Sequence, residues 1–257
     1  MNTKEHHRST QRVIDILDQI SNAKEQGLSL AELSSKLDAP KSSLFPILHT
    51  LKENHLISLH ESTFKYTMGY KTYELGNAYI QNGSVNASIL DIMRDITSQC
   101  RETSFFGELI DGNVFYLFKM DSPESLRMVS PGKTLPAYSS GIGKALLCEK
   151  SYEELQGLYP NKLIPLTPNT ITDLHLLAQQ LETIRNQGIA FEKEESTQFI
   201  QCIAIPIRKS GTVRAALSVA IPVFRYSQEK EAMIIGLLKL AQIKIENLIS
   251  SESWTQF

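Results

Sequence analysis

The sequence predicts an α+β protein in two unequal parts, a helical start closed by a short hairpin and a larger part with antiparallel strands and flanking helices. Three observations carry this. Apolar side chains recur at helical spacing in three consecutive segments before residue 54. Two later pairs of strand-like segments are joined by the tight turns Asp111-Gly112 and Lys209-Ser210-Gly211, which imply antiparallel neighbours. The ends also differ in composition, with five of the six histidines in the first 60 residues and eight of the ten prolines after residue 120, as expected of two domains in 257 residues.

From Ser9, the series Val13, Ile14, Ile16, Leu17, Ile20 outlines one face of a helix expected to reach Gln26 and stop at Gly27. Ser29-Leu30-Ala31-Glu32 has the form of a capping box, so a short second helix follows, carrying Leu33 and Leu37. After Pro40 the stripe Leu44, Ile47, Leu48, Leu51 predicts a third helix to Glu53. Pro46 contradicts a regular helix there, because proline has no amide to donate and clashes with the preceding turn. The expected resolution is a late start with Ser42 as N-cap, which leaves Pro46 in the first turn. Leu56–Leu59 and Phe64–Thr67 then form a hairpin around His60-Glu61-Ser62-Thr63.

Three helices and a hairpin make a winged helix-turn-helix over 1–68, and a linker helix is expected over 69–83. The second domain, 84–257, is expected to hold helices near 86–101, 142–149, 151–158, 172–187 and 227–250 and strands near 104–110, 113–120, 202–208 and 212–220.

Composition excludes several classes. Apolar residues at 42% and charged residues at 21% are globular values, and no apolar run reaches the ~18 residues of a membrane span. The polar N-terminus carries no secretory signal, so a cytoplasmic location is expected. Cys100, Cys148 and Cys202 form no CxxC pair and are expected to be free thiols; His6-His7 has no third ligand at a useful spacing. No metal or cofactor is expected. The net charge of −2, with eight basic and eight acidic residues before residue 71, gives no bulk signal for nucleic acid, so such a function must rest on placed contacts.

The third helix of this motif lies in the DNA major groove. Opposite its apolar stripe stand Ser42, Pro46, His49 and Glu53, with Phe45 and Thr50 at the flanks. Lys41, Ser42 and Ser43 are suited to phosphates, His49 to a base edge and Phe45 to a thymine methyl, with Arg12 and Lys65 as clamps on the DNA backbone. A helical dimerisation module attached to a small-molecule enzyme is the alternative. Catalysis finds little support: Ser139-Ser140-Gly141 is no GxSxG elbow, His175 is the only histidine of the second part, and Cys202 has no evident base.

Ser140-Gly141-Ile142-Gly143-Lys144 opens a helix, where free amides and the helix dipole favour an anion such as a carboxylate. It is no P-loop, since Ala145 follows Lys144. The competing explanation is close packing at the glycines with Lys144 in solvent.

Gly27–Leu33, Pro40-Lys41-Ser42-Ser43, Tyr66-Thr67-Met68-Gly69, Gly141–Leu147, Leu166–Ile171, Glu194-Glu195 and Cys202–Pro206 together resemble the IclR family of bacterial transcriptional regulators over nearly the whole chain. The resemblance implies a winged helix-turn-helix on double-stranded DNA with a palindromic operator, a linker helix, and a GAF-like domain that binds a small-molecule effector. It also implies a homodimer or dimer of dimers with no membrane association. By the same resemblance the effector-contacting positions are Ser140, Gly141, Ile142, Glu192, Cys202 and Ser218, with Ala220 where a second serine is expected. Phe105, Phe106, Leu126, Met128 and Tyr138 are further candidates for the pocket wall. The pair Phe45-Pro46 departs from the family's polar or basic pair.

Overall fold

The computed structural model describes residues 7–23, 26–81, 84–124 and 134–251, and falls into two compact units, Met1–Asn82 and Gly83–Phe257. Leu126, Met128 and His6 lie outside the described residues.

In the first unit α1 (Arg8–Asn22) buries Ile16 and Ile20 but leaves Ile14 exposed. It stops short of the expected Gln26, where the Ala23 amide turns back to the carbonyls of Gln19 and Ile20. An unexpected two-residue strand, β1 (Leu28–Ser29), follows; two residues are too short to show a period. The Ser29/Glu32 capping box is formed and opens α2 (Leu30–Lys36), satisfying two orphan amides reciprocally.

α3 (Lys41–Glu53) corrects the expected start: Pro40, not Ser42, is the N-cap. The Pro40 carbonyl collects the amides of Ser43 at 3.0 Å and Leu44 at 3.3 Å together with the Ser43 hydroxyl at 2.8 Å, and this cluster of donors opens the helix early. Pro46 therefore sits well inside the helix, as its sixth residue, and cannot donate to the Ser42 carbonyl. β2 (Ile57–His60) and β3 (Lys65–Met68) pair antiparallel in the order β1-β3-β2, with Leu59 opposite Tyr66. Ile16, Ile20, Leu33, Leu44, Leu48 and Ile57 form the core beneath, each buried side chain of this kind contributing about 1.5–3 kcal/mol of transfer free energy. α4 (Tyr70–Gln81) closes the unit, with Tyr70 stacked on His55.

The second unit runs α5 (Ser84–Cys100), β4 (Thr103–Ile110), β5 (Asn113–Met120), β6 (Thr134–Pro136), α6 (Gly141–Leu147), α7 (Tyr152–Leu158), α8 (Leu174–Gln187), β7 (Ala190–Lys193), β8 (Ile200–Lys209), β9 (Thr212–Pro222) and α9 (Gln228–Ser251). The strands make one antiparallel sheet in the order β6-β5-β4-β9-β8-β7. β6 and β7 are not expected from the sequence; both are short edge strands whose pairing defines them.

Side-chain alternation gives the sheet two unlike faces. Ile203, Ile205, Ile207, Leu217, Val219 and Ile221 face α5 and α9 and fill that layer. The other face carries Cys202, Ala204, Ala216, Ser218 and Ala220 beneath α6 and α8. Small residues there admit α6 closely and leave unfilled space beside it. A Cβ on Gly143 would stand 2.1 Å from the Ala137 carbonyl oxygen, so glycine is required where α6 meets the turn before it.

Candidate functional site

The unfilled space is a cavity of about 690 Å³, walled by Phe105, Tyr116, Leu135, Ser140, Gly141, Ile142, residues 196–200, Cys202, Ser218, Ala220, Val223 and Phe224. Five of the six residues expected to contact an effector, Ser140, Gly141, Ile142, Cys202 and Ser218, are thus brought together. Strand register explains it: Phe105, Ser218 and Ala204 lie in one cross-strand row, and Ala220, Cys202 and Glu192 in the next. Gly141 closes over that second row, where a Cβ would lie 3.0 Å from the Cβ of Cys202 and 3.3 Å from that of Glu192.

Glu192, the sixth residue, stands behind this wall instead of in it. Its Oε1 accepts the amides of Ser196, at 3.1 Å, and Glu195, which begins to fix the loop 194–199 that forms one side of the cavity. Its Oε2 is buried, with the Cys202 thiol beside the carboxyl. Burial pushes the Glu192 carboxyl up to about 7, against the Glu195 amide, the Cys202 thiol and the Ser196 amide, which favour its ionised form. Burial likewise drives the Cys202 thiol well up, and adjacent Glu192 adds to it. The Ser140 hydroxyl caps α6 by accepting the Gly143 amide at 3.2 Å.

Lys144 is fully buried and ion-paired with Glu195, so the competing explanation that left it in solvent does not hold. Burial pulls the ammonium down, opposed by the Glu195 carboxylate. The same Glu195 explains the segment Leu166–Ile171: the Thr170 hydroxyl donates to the Glu195 carbonyl at 2.6 Å, and the Thr167 hydroxyl donates to the Glu194 carbonyl at 2.6 Å. Both threonine hydroxyls therefore staple the cavity loop from outside.

Of the aromatic candidates, Phe105 lines the cavity while Phe106 packs into the opposite layer with Phe118. Tyr138 is turned away, its hydroxyl donating to the Ile164 carbonyl at 2.8 Å. Sequence reasoning missed Tyr116, Leu135, the loop 196–200, Val223 and Phe224. Tyr116 is instructive. Phe106 pairs with Phe118 but Gly107 pairs with Tyr116, so Leu117 is an extra residue and side-chain alternation along β5 reverses across it. Among the described residues no wall residue carries a charge.

In the first unit, Lys41, Ser42, Phe45, Pro46 and His49 are exposed together on α3, with Phe45 54% exposed and 6.5 Å from the His49 ring. Ser43 is exposed too, but its hydroxyl proton is spent on Pro40, and that of Thr50 on the Pro46 carbonyl at 3.0 Å. Lys65 lies 3.7 Å from Glu32, so its charge is partly compensated. Arg12 is half-buried on α1. Among the described residues no group of three His, Cys, Asp or Glu side chains is placed to hold a metal, and no helix is long and apolar enough to cross a membrane.

Residues 77–247 match the family model for the C-terminal domain of the bacterial transcriptional regulator IclR, and residues 9–58 that for the IclR helix-turn-helix domain. The chain is 31% identical over 240 residues to the HTH-type transcriptional regulator KdgR of Escherichia coli K12, covering 92% of this chain and 90% of that one. Its fold is similar to that of an IclR transcriptional regulator from Alicyclobacillus acidocaldarius, at a TM-score of 0.85 and 20% identity, over 95% of this chain and 99% of that one. It is also similar to that of an IclR homologue from Microbacterium hydrocarbonoxydans complexed with 4-hydroxybenzoate, at a TM-score of 0.83 and 20% identity, over 95% and 100% of the two chains.

Proposed function

The chain belongs to the IclR family of bacterial transcriptional regulators, and from that premise we propose how its two units divide the work of a DNA-binding regulator controlled by a small effector. The winged helix-turn-helix, 1–68, docks α3 in the major groove of a palindromic operator, and the linker helix, 69–83, joins it to the effector domain, 84–257. Lys41, Ser42, Arg12 and Lys65 meet phosphates with Ser43 beside them, and Phe45 and His49 face bases. The working form is a homodimer or dimer of dimers in the cytoplasm, since a two-fold operator calls for a two-fold protein.

The effector is a monocarboxylic acid with an apolar body. The observation that carries this reading is a cavity of about 690 Å³ whose wall offers hydroxyls and amides at one end, aromatic side chains elsewhere, and no charge among the described residues. The carboxylate lies against Ser140, Gly141, Ile142 and Ser218, and the body against Phe105, Tyr116 and Phe224. Ala220 supplies no hydroxyl, which disfavours small, highly oxygenated acids. Glu192, behind the wall, is compatible with an anion while it stays neutral, and its raised titration supports that. The 4-hydroxybenzoate held by the Microbacterium homologue is an acid of this class.

Thermal shift against 4-hydroxybenzoate, benzoate, pyruvate and a sugar acid tests the reading, because a ligand of the native state stabilises by RT ln(1 + [L]/Kd). Aromatic monocarboxylates should raise the melting temperature most. Stabilisation confined to pyruvate or the sugar acid would overturn it. An acid that binds must also change operator affinity, and operator DNA must change acid affinity by the same factor.

A further inference from the structure

We infer that this regulator selects its operator through the methyl groups of thymine, read by Phe45 with Pro46 beside it. The inference rests on the placement of α3 in the major groove proposed above. The thirteen residues Lys41–Glu53 include no Arg, Asn or Gln, the side chains that make the paired hydrogen bonds to guanine and adenine. The two lysines stand at the ends of the helix, Lys41 at its first residue and Lys52 in its last turn. Two of the remaining polar side chains are turned back on the helix, since the hydroxyls of Ser43 and Thr50 donate to the carbonyls of Pro40 and Pro46.

The centre of the exposed surface is therefore apolar. Phe45 lies one helical turn from Lys41 on one side and from His49 on the other, so it shares their face. It is 54% exposed, and its ring is tilted at 46° to that of His49 with centroids 6.5 Å apart. Pro46 is exposed next to it. Proline brings a rigid hydrocarbon ring with no side-chain donor or acceptor, so this turn presents carbon to the groove. In the major groove the one apolar group on a base edge is the C5-methyl of thymine, which cytosine lacks. Phe45 against that methyl removes apolar surface of both partners from water, and the contact releases no counterions.

The test uses the full chain and a duplex selected by it from random DNA. Each thymine of the selected site is replaced in turn by deoxyuridine, which keeps every hydrogen bond and removes only the methyl. At one or two positions binding should weaken about fourfold per methyl removed, the worth of one buried CH2 unit. Phe45→Ala should show a comparable loss on the thymine duplex, no further loss on the deoxyuridine duplex, and an unchanged slope of log affinity against log salt. Because Phe45 is exposed, the variant should melt with the parent. Deoxyuridine without effect at every position, or losses from the two changes that multiply, would overturn the inference while leaving DNA binding intact. Failure of the chain to retain any duplex would sink the DNA-binding reading and this inference together.

Discussion

Lys144 of α6 and Glu195 of the loop after β7 form a buried ion pair across 51 residues of sequence, and the pair holds one wall of the cavity to another. Removing one member leaves a buried charge uncompensated, which is costly, whereas replacing both by apolar residues of similar size often is not. Lys144→Met should therefore destabilise the second unit by roughly 3–5 kcal/mol in urea unfolding, and Lys144→Met with Glu195→Leu should recover most of that loss. Equal losses in the single and double variants would show that the pair is not what Lys144 contributes.

Glu192 makes stability fall as pH rises toward and through neutrality. Its carboxyl is raised from 4.5 to about 7 in the folded chain, so the folded state holds the proton more tightly than the unfolded state. The stabilisation this gives is complete below pH 4.5 and is lost as pH rises through 7, roughly 3 kcal/mol across the window. The difference in unfolding free energy between the parent and Glu192→Gln should trace that loss, because glutamine does not titrate. A difference that stays constant from pH 4.5 to 8 would contradict the assignment. Affinity for a monocarboxylate should fall over the upper part of the same window in the parent and stay level in the variant.

Two glycines in short helices should respond oppositely to alanine. At Gly143 the new Cβ would meet backbone atoms of Ala137 at 2.1 and 2.4 Å, so the turn or α6 must move, at a cost of about 1–3 kcal/mol. At Gly157 of α7 no atom of the described residues beyond its own helix backbone and chain neighbours lies within 4 Å of the new Cβ, and alanine should stabilise by up to about 1 kcal/mol through helix propensity alone. Melting temperatures of the two variants check both signs.

On the DNA side, Lys41→Ala should reduce the slope of log affinity against log salt by about one unit, as removal of a single phosphate-neutralising charge does. Ser43→Ala should change affinity much less, because the hydroxyl proton is already donated to the Pro40 carbonyl. Salt titrations of operator binding distinguish the two; a Ser43 loss as large as that of Lys41 would mean that the hydroxyl leaves Pro40 in the complex.

Local chemistry made much of this architecture legible. The Leu44, Ile47, Leu48, Leu51 stripe placed α3, the Ser29/Glu32 box placed α2, and Asp111-Gly112 placed the β4–β5 turn, because a helix period, a cap or a tight turn is decided by residues a few positions apart. The resemblance of ordered motifs added the positions Ser140, Gly141, Ile142, Cys202 and Ser218, which meet around one cavity. The start of α3 escaped because three donors converging on the Pro40 carbonyl outweighed the capping preference of Ser42.

By itself, then, the sequence determined the main helices and the long strand pairs, and that two unlike units follow one another, while the short strands β1, β6 and β7 are defined only by their pairing. Only the tertiary structure decided which way the site residues face. Strict alternation would put Val114, Tyr116 and Phe118 on one side of β5, but the extra residue at Leu117, visible only in its pairing with β4, sends Tyr116 to the cavity and Phe118 to the opposite core. The sequence leaves Lys144 between an anion site and solvent until Glu195, brought in by β7, meets it in the interior. Each of these outcomes is set by partners far away in the chain, and local periodicity carries no record of them.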